Sequence, residues 1–271
     1  MVREMNLSGQ KFAEWNSRIA LACNAVGQPD FPALLTDSMR VVTDFQISMT
    51  FSYGVANQVR CLDHNMIKSK ADIVVRQYLR GPYLLDPFYQ EVLRGRTDGS
   101  CVLSEISPDR FYSSDYFKHH YARTEIGDEV GIFCPISEDE TTVVSFTRAN
   151  RKQRFNAADR KRIAAVVPMV RSLAIQHYSI TALAQEDAAL PAMTRSMIEN
   201  AFGQFGNDLL TDRECQIASY VLKGYSTSSI SSRLEISVET VKSHRKNAYA
   251  KLNISSQAEL FSIFLSSLET Y

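Results

Sequence analysis

Apolar residues in the first 180 positions follow two different periods. A spacing of three to four residues places side chains on one face of a helix, and it predicts helices over 12–26, 34–42 and 156–178. Alternation of apolar with polar residues places side chains on one face of a strand, and it predicts strands over 46–55, 59–62, 129–136 and 141–147. Asn156 is a suitable N-cap for the last of these helices.

Short helices are predicted between the second and third of these strands. One covers 69–80 and ends at a Gly-Pro pair. A second follows the Asp86-Pro87 pair, because aspartate caps a helix and proline is favoured at its first position. A third begins near Ser113 and continues to 123. The order of helices and strands differs from the repeated alternation that builds parallel sheets. We therefore predict an α+β domain, an antiparallel sheet flanked by helices.

From residue 209 onwards the apolar positions follow the helical period alone and predict four short helices. Thr211 and Glu214 form a capping box at the start of the first helix. Further caps are expected at Ser226, Ser237 and Ser256. Four helices joined by short turns around a helix-turn-helix make an all-α domain. We place this domain at 209–271, a linker at 181–208 and the α+β domain at 1–180.

The third of these helices presents a polar side rich in lysine. At about 100° per residue, Val241, Ala248 and Leu252 share one face, which is expected to pack on the core. The remaining surface carries the side chains that we expect to contact DNA: Thr240, Lys242, Ser243, Arg245, Lys246 and Asn247. Lysine and asparagine suit base edges, whereas threonine and arginine suit phosphates. The alternative is an ordinary solvated face, but the second helix of a helix-turn-helix is the one that reads a groove.

The segment 209–261 resembles the LuxR/FixJ-type DNA-binding domain. The matching pieces are LTDRE, a glycine turn, an Ile-x-x-x-Leu helix, the segment Ile-Ser-x-x-Thr-Val-Lys-x-His and a capped fourth helix. The resemblance implies that the third helix enters the major groove and that the fourth supports a homodimer. It also implies that Lys242, Ser243 and Lys246 face bases while Thr240 contacts phosphate.

Two positions depart from the pattern of that family. Ser229 stands where glutamate is usual, and Glu235 stands where the turn usually has glycine. Glu235 is expected to adopt a positive φ at a cost of about 1–2 kcal/mol. It also brings a negative charge close to DNA, which predicts a weaker affinity than is typical of the family.

Composition narrows the class of protein. The formal net charge is zero, so affinity for DNA has to come from a local cluster. The absence of a long apolar run or a signal sequence predicts a cytoplasmic protein without a membrane partner. Five scattered cysteines without a C-x-x-C pair argue against a zinc site. Because no nucleophile–base pair or metal cluster is apparent, we expect no enzyme activity, no metal and no cofactor.

The segment 78–121 holds nine of the 27 aromatic residues. This concentration suits either an apolar pocket with a few hydroxyl groups or ordinary core packing. The Tyr-Leu-Leu-Asp-Pro segment within it resembles part of the autoinducer-binding domain of quorum-sensing regulators, where the aspartate accepts a hydrogen bond from the ligand amide. The alternative is a simple helix cap. Trp15 is the only tryptophan, so the tryptophans of that family are missing, which argues against an acyl-homoserine lactone. The candidate ligand contacts are Tyr83, Asp86, Phe88, Tyr112 and Tyr116.

Together these features predict a sequence-specific transcription regulator controlled by a small molecule in its N-terminal domain. The expected partners are double-stranded DNA, a second copy of the chain and the small molecule, with RNA polymerase as a further candidate. Two alternatives stay open at this point. One is a protein-interaction adaptor with little affinity for DNA, and the other is a sigma-like factor bound to RNA polymerase.

Overall fold

The computed structural model describes residues 9–54, 59–67, 71–121, 126–149, 154–182 and 209–269. Two helices, α1 (Gly9–Asn24) and α2 (Phe31–Val42), come first and match the predicted helical spacing. A five-stranded sheet follows, with the spatial order β2-β1-β5-β4-β3 and every neighbouring pair antiparallel. Its strands are β1 (Ile47–Gly54), β2 (Val59–His64), β3 (Ser100–Val102), β4 (Asp128–Pro135) and β5 (Glu140–Arg148). The predicted α+β class is confirmed.

Helices and helical turns connect these strands. The predicted helix after Asp86 is α3 (Pro87–Leu93), and α4 (Leu103–Ile106) follows β3. The predicted helix over 69–80 is a π-helical turn, Asp72–Arg76, that continues into Gln77–Leu79.

The helix predicted from near Ser113 is present within the described residues: it is α-helical at 115–116 and continues as a π-helical turn, Phe117–Tyr121. A 3₁₀ turn, Phe111–Ser113, precedes it, and the Ser114 hydroxyl caps it by accepting from the N–H of Phe117 at 3.1 Å. Its last two predicted residues, 122 and 123, lie outside the described residues. The wider π turn brings residues four apart nearly into line along the axis. This allows the rings of Phe117 and Tyr121 to stack, with centroids 5.6 Å apart and planes 10° from parallel.

Alternation along the strands covers both faces of the sheet. One face packs against the segment 71–121 through Met49, Phe51, Tyr53, Phe133 and Val143. The other face packs against α1, α2 and the long helix α5 (Ala157–Ala182) through Val130, Ile132, Cys134, Val144 and Phe146. Asn156 caps α5 as predicted, because its side-chain oxygen accepts a hydrogen bond of 2.9 Å from the N–H of Asp159. In the parts of the chain described here, no helix is long and apolar enough to cross a membrane.

A buried ion pair fastens α5 to the sheet. The Arg148 guanidinium on β5 lies 3.0 Å from the Asp159 carboxylate, and only 9% and 4% of the two side chains are exposed. Arg148 also donates to the carbonyl oxygen of Asp44 at 2.8 Å and to the Thr43 hydroxyl at 3.0 Å. The charge is therefore compensated on several sides, as a buried guanidinium requires.

The C-terminal residues form four helices: α6 (Asp212–Leu222), α7 (Thr227–Leu234), α8 (Val238–Lys251) and α9 (Gln257–Glu269). Each begins at a predicted cap, whose side-chain oxygen accepts from the N–H three residues later: Thr211, Ser226, Ser237 and Ser256. The last capping box differs in detail, because the Glu259 carboxylate accepts from the N–H of Ser255 at 2.8 Å rather than from that of Ser256.

The predicted domain boundaries stay a prediction. Most of the predicted linker over 181–208, including a short helix expected near 193–202, lies outside the described residues.

Candidate nucleic-acid interface and sensor cluster

Helix α8 packs on the core by the predicted face. Val241 is fully buried and Ala248 is 1% exposed, whereas Leu252 is half-buried. Ser237 fixes the start of the helix by accepting a 3.0 Å hydrogen bond from the N–H of Thr240. The orientation of α8 about its own axis is therefore set by its cap and by two small apolar residues, as expected for a helix with one buried stripe.

The side of α8 turned away from this core is open to solvent. Its exposed members are Lys242, Ser243, Lys246 and Asn247, and Thr240 and Arg245 lie half-buried at its edges. We call these six residues the reading face. Lys242 pairs with the Glu239 carboxylate at 2.8 Å, so that ammonium group must leave Glu239 before it can contact a base. Lys246 makes no ion pair within the described part of the chain, which leaves its charge available.

The turn between α7 and α8 holds Glu235 in the left-handed region, with φ 53° and ψ 42°. This is the positive φ that the sequence predicts, and it carries a strain of about 1–2 kcal/mol. The turn is closed by the Ser231 hydroxyl, which donates to the carbonyl oxygen of Ile236 at 2.6 Å. Arg213 of α6 donates to the carbonyl oxygen of Leu234 at 3.0 Å. These bonds fix the angle between the two helices of the helix-turn-helix.

The predicted ligand residue Asp86 lies in a buried cluster of acids and tyrosines. One carboxylate oxygen caps α3, accepting from the N–H of Phe88 at 2.7 Å. The other accepts from the hydroxyl groups of Tyr116 at 3.4 Å and Tyr121 at 3.3 Å. The Tyr121 hydroxyl also lies 3.4 Å from the Glu129 carboxylate on β4. We call Asp86, Tyr116, Tyr121 and Glu129 the acid–tyrosine cluster.

The geometry of the cluster favours a shared proton. Tyr121 has one hydroxyl hydrogen and lies between two carboxyl groups, so a proton on one of the acids would allow that acid to donate in its turn. Burial, and then the neighbouring Asp86 carboxyl, raise the pKa of Glu129 well above its usual value. Burial also raises the pKa of Asp86, although hydrogen bonds from the Phe88 and Tyr89 N–H groups oppose the rise. A protonated Glu129 that donates to Tyr121 satisfies both carboxyl groups.

The structure brings four of the five predicted ligand residues to this part of the sheet. Asp86 and Tyr116 belong to the cluster itself, and Tyr83 packs edge-on against Tyr89 with centroids 5.2 Å apart. Phe88 lies directly over Gly131, where an added Cβ would come within 2.5 Å of the Phe88 ring.

Tyr112 lies at the edge of the same apolar cluster, where its ring is 5.1 Å from that of Phe117. It is half-buried, and the guanidinium carbon of Arg154 lies 4.5 Å from the centre of its ring.

Sequence reasoning missed Tyr121 and Glu129. It also missed a second pair of hydroxyl groups on the same face of the sheet. Tyr53 and Tyr78 share a hydrogen bond of 2.7 Å there. The signal for Glu129 was present in the sequence, since this acid begins the predicted apolar strand 129–136 and alternates to the same side as Phe133. The roles of all predicted site residues stay predictions.

The helical unit is docked on the α+β domain through the turn that ends α6. The N–H of Arg110 donates to the carbonyl oxygen of Gly224 at 3.0 Å, and the N–H of Ser226 donates to the Asp109 carboxylate at 3.0 Å. Partial burial favours a higher pKa for Asp109, but the hydrogen bonds from Ser226 outweigh it and hold that pKa below its usual value. Gly224 has φ +89°, and an added Cβ there would lie 3.0 Å from Phe111 Cα. We call this contact the docking turn.

Phe111 links the docking turn to the acid–tyrosine cluster. Its ring is fully buried and lies edge-on to the rings of Tyr116, at 6.0 Å, and Tyr121, at 5.5 Å. Its backbone lies against Gly224. The apolar core of the helical unit and that of this sheet face form one continuous cluster of buried residues. A shift of the two tyrosines would therefore reach the docking turn through a single side chain.

Comparison with known proteins finds a family for the helical unit and relatives for most of the chain. Residues 208–264 match the family of bacterial regulatory proteins described as the luxR family. The HTH-type transcriptional regulator assigned to the exeN 3′ region of Aeromonas salmonicida is 35% identical over 188 residues, which cover 68% of this chain and 95% of that protein. The monoamine regulon transcriptional regulator of Klebsiella aerogenes is 26% identical over 210 residues, covering 78% of this chain and 80% of that protein.

The N-terminal fold also has a solved counterpart. The crystal structure of the VqsR LBD domain from Pseudomonas aeruginosa superposes with a TM-score of 0.55 at 22% sequence identity, covering 62% of this chain and 98% of that chain. At this level of identity the two share a fold. The similarity to the Aeromonas protein runs through nearly all of that regulator, beyond the helical unit alone. This chain therefore belongs to the luxR family of bacterial regulatory proteins, a family of transcriptional regulators rather than of enzymes.

Proposed function

We propose that this chain is a sequence-specific DNA-binding regulator of transcription that works as a homodimer in the cytoplasm and answers to a small molecule. The observation that carries the proposal is the reading face of α8, which is polar, solvent-exposed and held in a fixed orientation by Ser237 and Val241. An open face of this kind on the second helix of a helix-turn-helix suits the major groove. In this proposal Lys246 and Asn247 contact base edges, whereas Thr240 and Arg245 contact phosphates.

The small molecule is proposed to bind at the acid–tyrosine cluster. The hydrogen bonds from Tyr116 and Tyr121 to Asp86 are 3.4 and 3.3 Å long, near the outer limit for a hydroxyl donor. A ligand amide or hydroxyl that donates to Asp86 at a shorter distance would replace them at little cost. The surrounding rings favour a mostly apolar ligand with one or two polar groups. Entry requires Tyr116 or Tyr121 to move, because both are 1% exposed.

Control of DNA binding is proposed to run through Phe111 to the docking turn. Docking leaves Lys242 and Lys246 exposed, so it does not cover the reading face. We infer that the ligand acts by changing how the two helical units of a dimer are placed, which sets whether both fit their half-sites.

The test of DNA binding is selection of bound genomic fragments by the purified full chain, followed by gel shifts on a selected site. Lys246→Ala is expected to weaken binding to that site by about 1–3 kcal/mol. Lys161→Ala, an exposed lysine on α5, is the matched control and should bind like the parent. Equal binding by all three proteins would reject the proposed interface and favour an adaptor role.

The test of ligand binding is mass spectrometry of small molecules retained by the full chain. Asp86→Asn keeps an oxygen that can cap α3 but removes the carboxylate. The variant should therefore stay folded and lose the retained molecule. A molecule retained equally by both proteins would place its site elsewhere.

A further inference from the structure

A groove of about 880 Å³ lies between the helical unit and the α+β domain. Its walls come from α6 and α7 on one side and from α3 on the other. Among the described residues, four cationic side chains line it, and Asp212 is the one acid in that lining. These cations are Arg94, Arg213, Lys223 and Arg233. Such an excess of one charge in a concave site focuses the electrostatic potential there.

Two of these cations have no carboxylate partner within the described ranges. Arg213 donates to the Gln216 side-chain oxygen at 2.7 Å and to the carbonyl oxygen of Leu234, both neutral acceptors. The guanidinium carbon of Arg233 lies 4.6 Å from the centre of the Tyr225 ring. Arg94, by contrast, pairs with Glu91 beside the groove. Positive charge is therefore concentrated on the α6–α7 side.

Lys223 adds a cation in a partly desolvated position. Its side chain is half-buried, and burial followed by repulsion from Arg94 lowers its pKa to about 8. An anion bound in the groove would favour the charged form of Lys223.

The groove also has an aromatic wall. Tyr220 and Tyr225 lie edge to face with ring centroids 5.3 Å apart, and both rings line the cavity. A ligand with a flat or apolar part can pack on this wall while its charged part faces the cations.

We propose that this groove is a second effector site, which binds a small phosphorylated molecule and thereby holds the docked arrangement of the two domains. A phosphoryl group has three terminal oxygens and up to two negative charges, which suits Arg213, Arg233 and Lys223 together. Arg94 supplies a cation from the α+β domain, so a bound anion bridges the two domains. The site is separate from the acid–tyrosine cluster, and the proposal stands whether or not that cluster binds a ligand.

The phosphate backbone of DNA offers the same chemistry, but the groove favours a small molecule. Two domains enclose it, and its sensor wall includes Gln90 and Arg94 of α3. The reading face belongs to a different helix, α8. None of the six reading-face residues lies on α3.

The experiment is isothermal titration calorimetry of the full chain with inorganic pyrophosphate and with ATP, in a buffer free of other multivalent anions. Saturable binding is expected. Arg213→Gln, Arg233→Gln and Arg94→Gln should each weaken it about tenfold, the usual loss for one hydrogen bond to a charged group. Arg233 is exposed, so that variant keeps the fold intact even if Arg213→Gln does not. Arg18→Gln, an exposed arginine on α1, is the matched control and should bind like the parent.

A further variant distinguishes the effect of the cations from the effect of the contact between the two domains. Arg94 donates to the Tyr225 hydroxyl at 3.1 Å, and Tyr225→Phe removes this bond while keeping every cation. Pyrophosphate should still bind to that variant. Absence of saturable binding overturns the proposal, and so does full affinity in Arg94→Gln, which would confine the site to the helical unit. If Arg233→Gln instead lowered the salt dependence of DNA binding while pyrophosphate did not bind, the groove would serve the duplex backbone and the proposal would fail.

Discussion

The geometry of the docking turn leads us to expect that alanine destabilises the protein more at Gly224 than at Gly95, although the two glycines have nearly the same backbone conformation. Gly224 has φ +89° and Gly95 has φ +87°, and each follows the end of a helix. An added Cβ at Gly95 meets nothing within 4 Å, whereas at Gly224 it would lie 3.0 Å from the Cα and 3.2 Å from the N of Phe111. Gly95→Ala is therefore a matched control that carries the backbone strain without the collision.

The expected losses of stability follow from these distances. The left-handed backbone costs about 1–2 kcal/mol for a residue with a Cβ, and this is the whole expected effect at Gly95. At Gly224 the collision adds about 1–3 kcal/mol, as overpacking commonly does. The extra loss of stability at Gly224 has an upper limit, because the two domains can separate and so relieve the collision. Separation gives up the docking hydrogen bonds, which contribute about 0.5–1.5 kcal/mol each.

Urea unfolding followed by two probes tests this reasoning. Far-UV circular dichroism reports all helices, and the fluorescence of Trp15 reports the α+β domain, because this sole tryptophan lies in α1 and is 7% exposed. Gly224→Ala should lose more stability than Gly95→Ala, and its two probes should no longer coincide, since an undocked helical unit unfolds by itself. Equal losses with coincident transitions in both variants would refute the docking turn as a contact in solution.

Three further predictions concern the reading face, the acid–tyrosine cluster and the buried ion pair. Lys246→Ala should relax specificity at one base pair, whereas Arg245→Ala should weaken all sequences alike and reduce the salt slope by about 1; gel shifts over a salt series distinguish the two effects. Glu129→Gln should become more stable relative to the parent as pH rises from about 5 to about 8. A carboxyl whose pKa is higher in the folded than in the unfolded protein stabilises the fold only while it is protonated, so the parent loses that stabilisation as the pH rises between the two pKa values. A difference that stays constant across that range, measured by urea unfolding, would contradict the raised pKa. Arg148→Met should cost about 1.5–3 kcal/mol by removing a charged hydrogen bond from the buried carboxylate of Asp159, which keeps Arg162 as its second ion-pair partner. Arg18→Ala, which breaks an exposed pair, should cost less than about 1 kcal/mol, so similar denaturation midpoints for the two variants would argue against the burial of the Arg148–Asp159 pair.

The parts of the fold that sequence predicts well are those set by neighbours in the chain. Thr211, Ser226 and Ser237 cap their helices because a cap depends on residues three positions apart. Val241 and Ala248 face the core because helical geometry fixes which residues share a side. The positive φ of Glu235 is expected from the family resemblance, because the family usually has glycine at this position of the turn. These local rules cover most of the helical unit and, through alternation, four of the five strands.

The parts that sequence does not predict depend on long-range contacts. Strand β3 has three residues, too few for a period to show. Asp86 and Glu129 meet only because the sheet brings the start of α3 over β4. Tyr112 and Tyr116 look alike in the sequence, but the 3₁₀ and π-helical turns send the first towards Arg154 and the second towards Asp86. The docking turn joins segments more than a hundred residues apart, which local patterns cannot reveal.

The mutual hydrogen bonding of the acid–tyrosine cluster has a consequence for how long a signal lasts. Asp86, Tyr121 and Glu129 hydrogen-bond one another, so under the proposed function a ligand exchanges for contacts that the protein already makes. A receptor that folds only around its ligand is lost to proteolysis when the ligand departs and must be synthesised again. If the ligand binds as proposed, a receptor with a self-satisfied cluster would outlive each binding event, and the same molecules would report falling as well as rising concentrations.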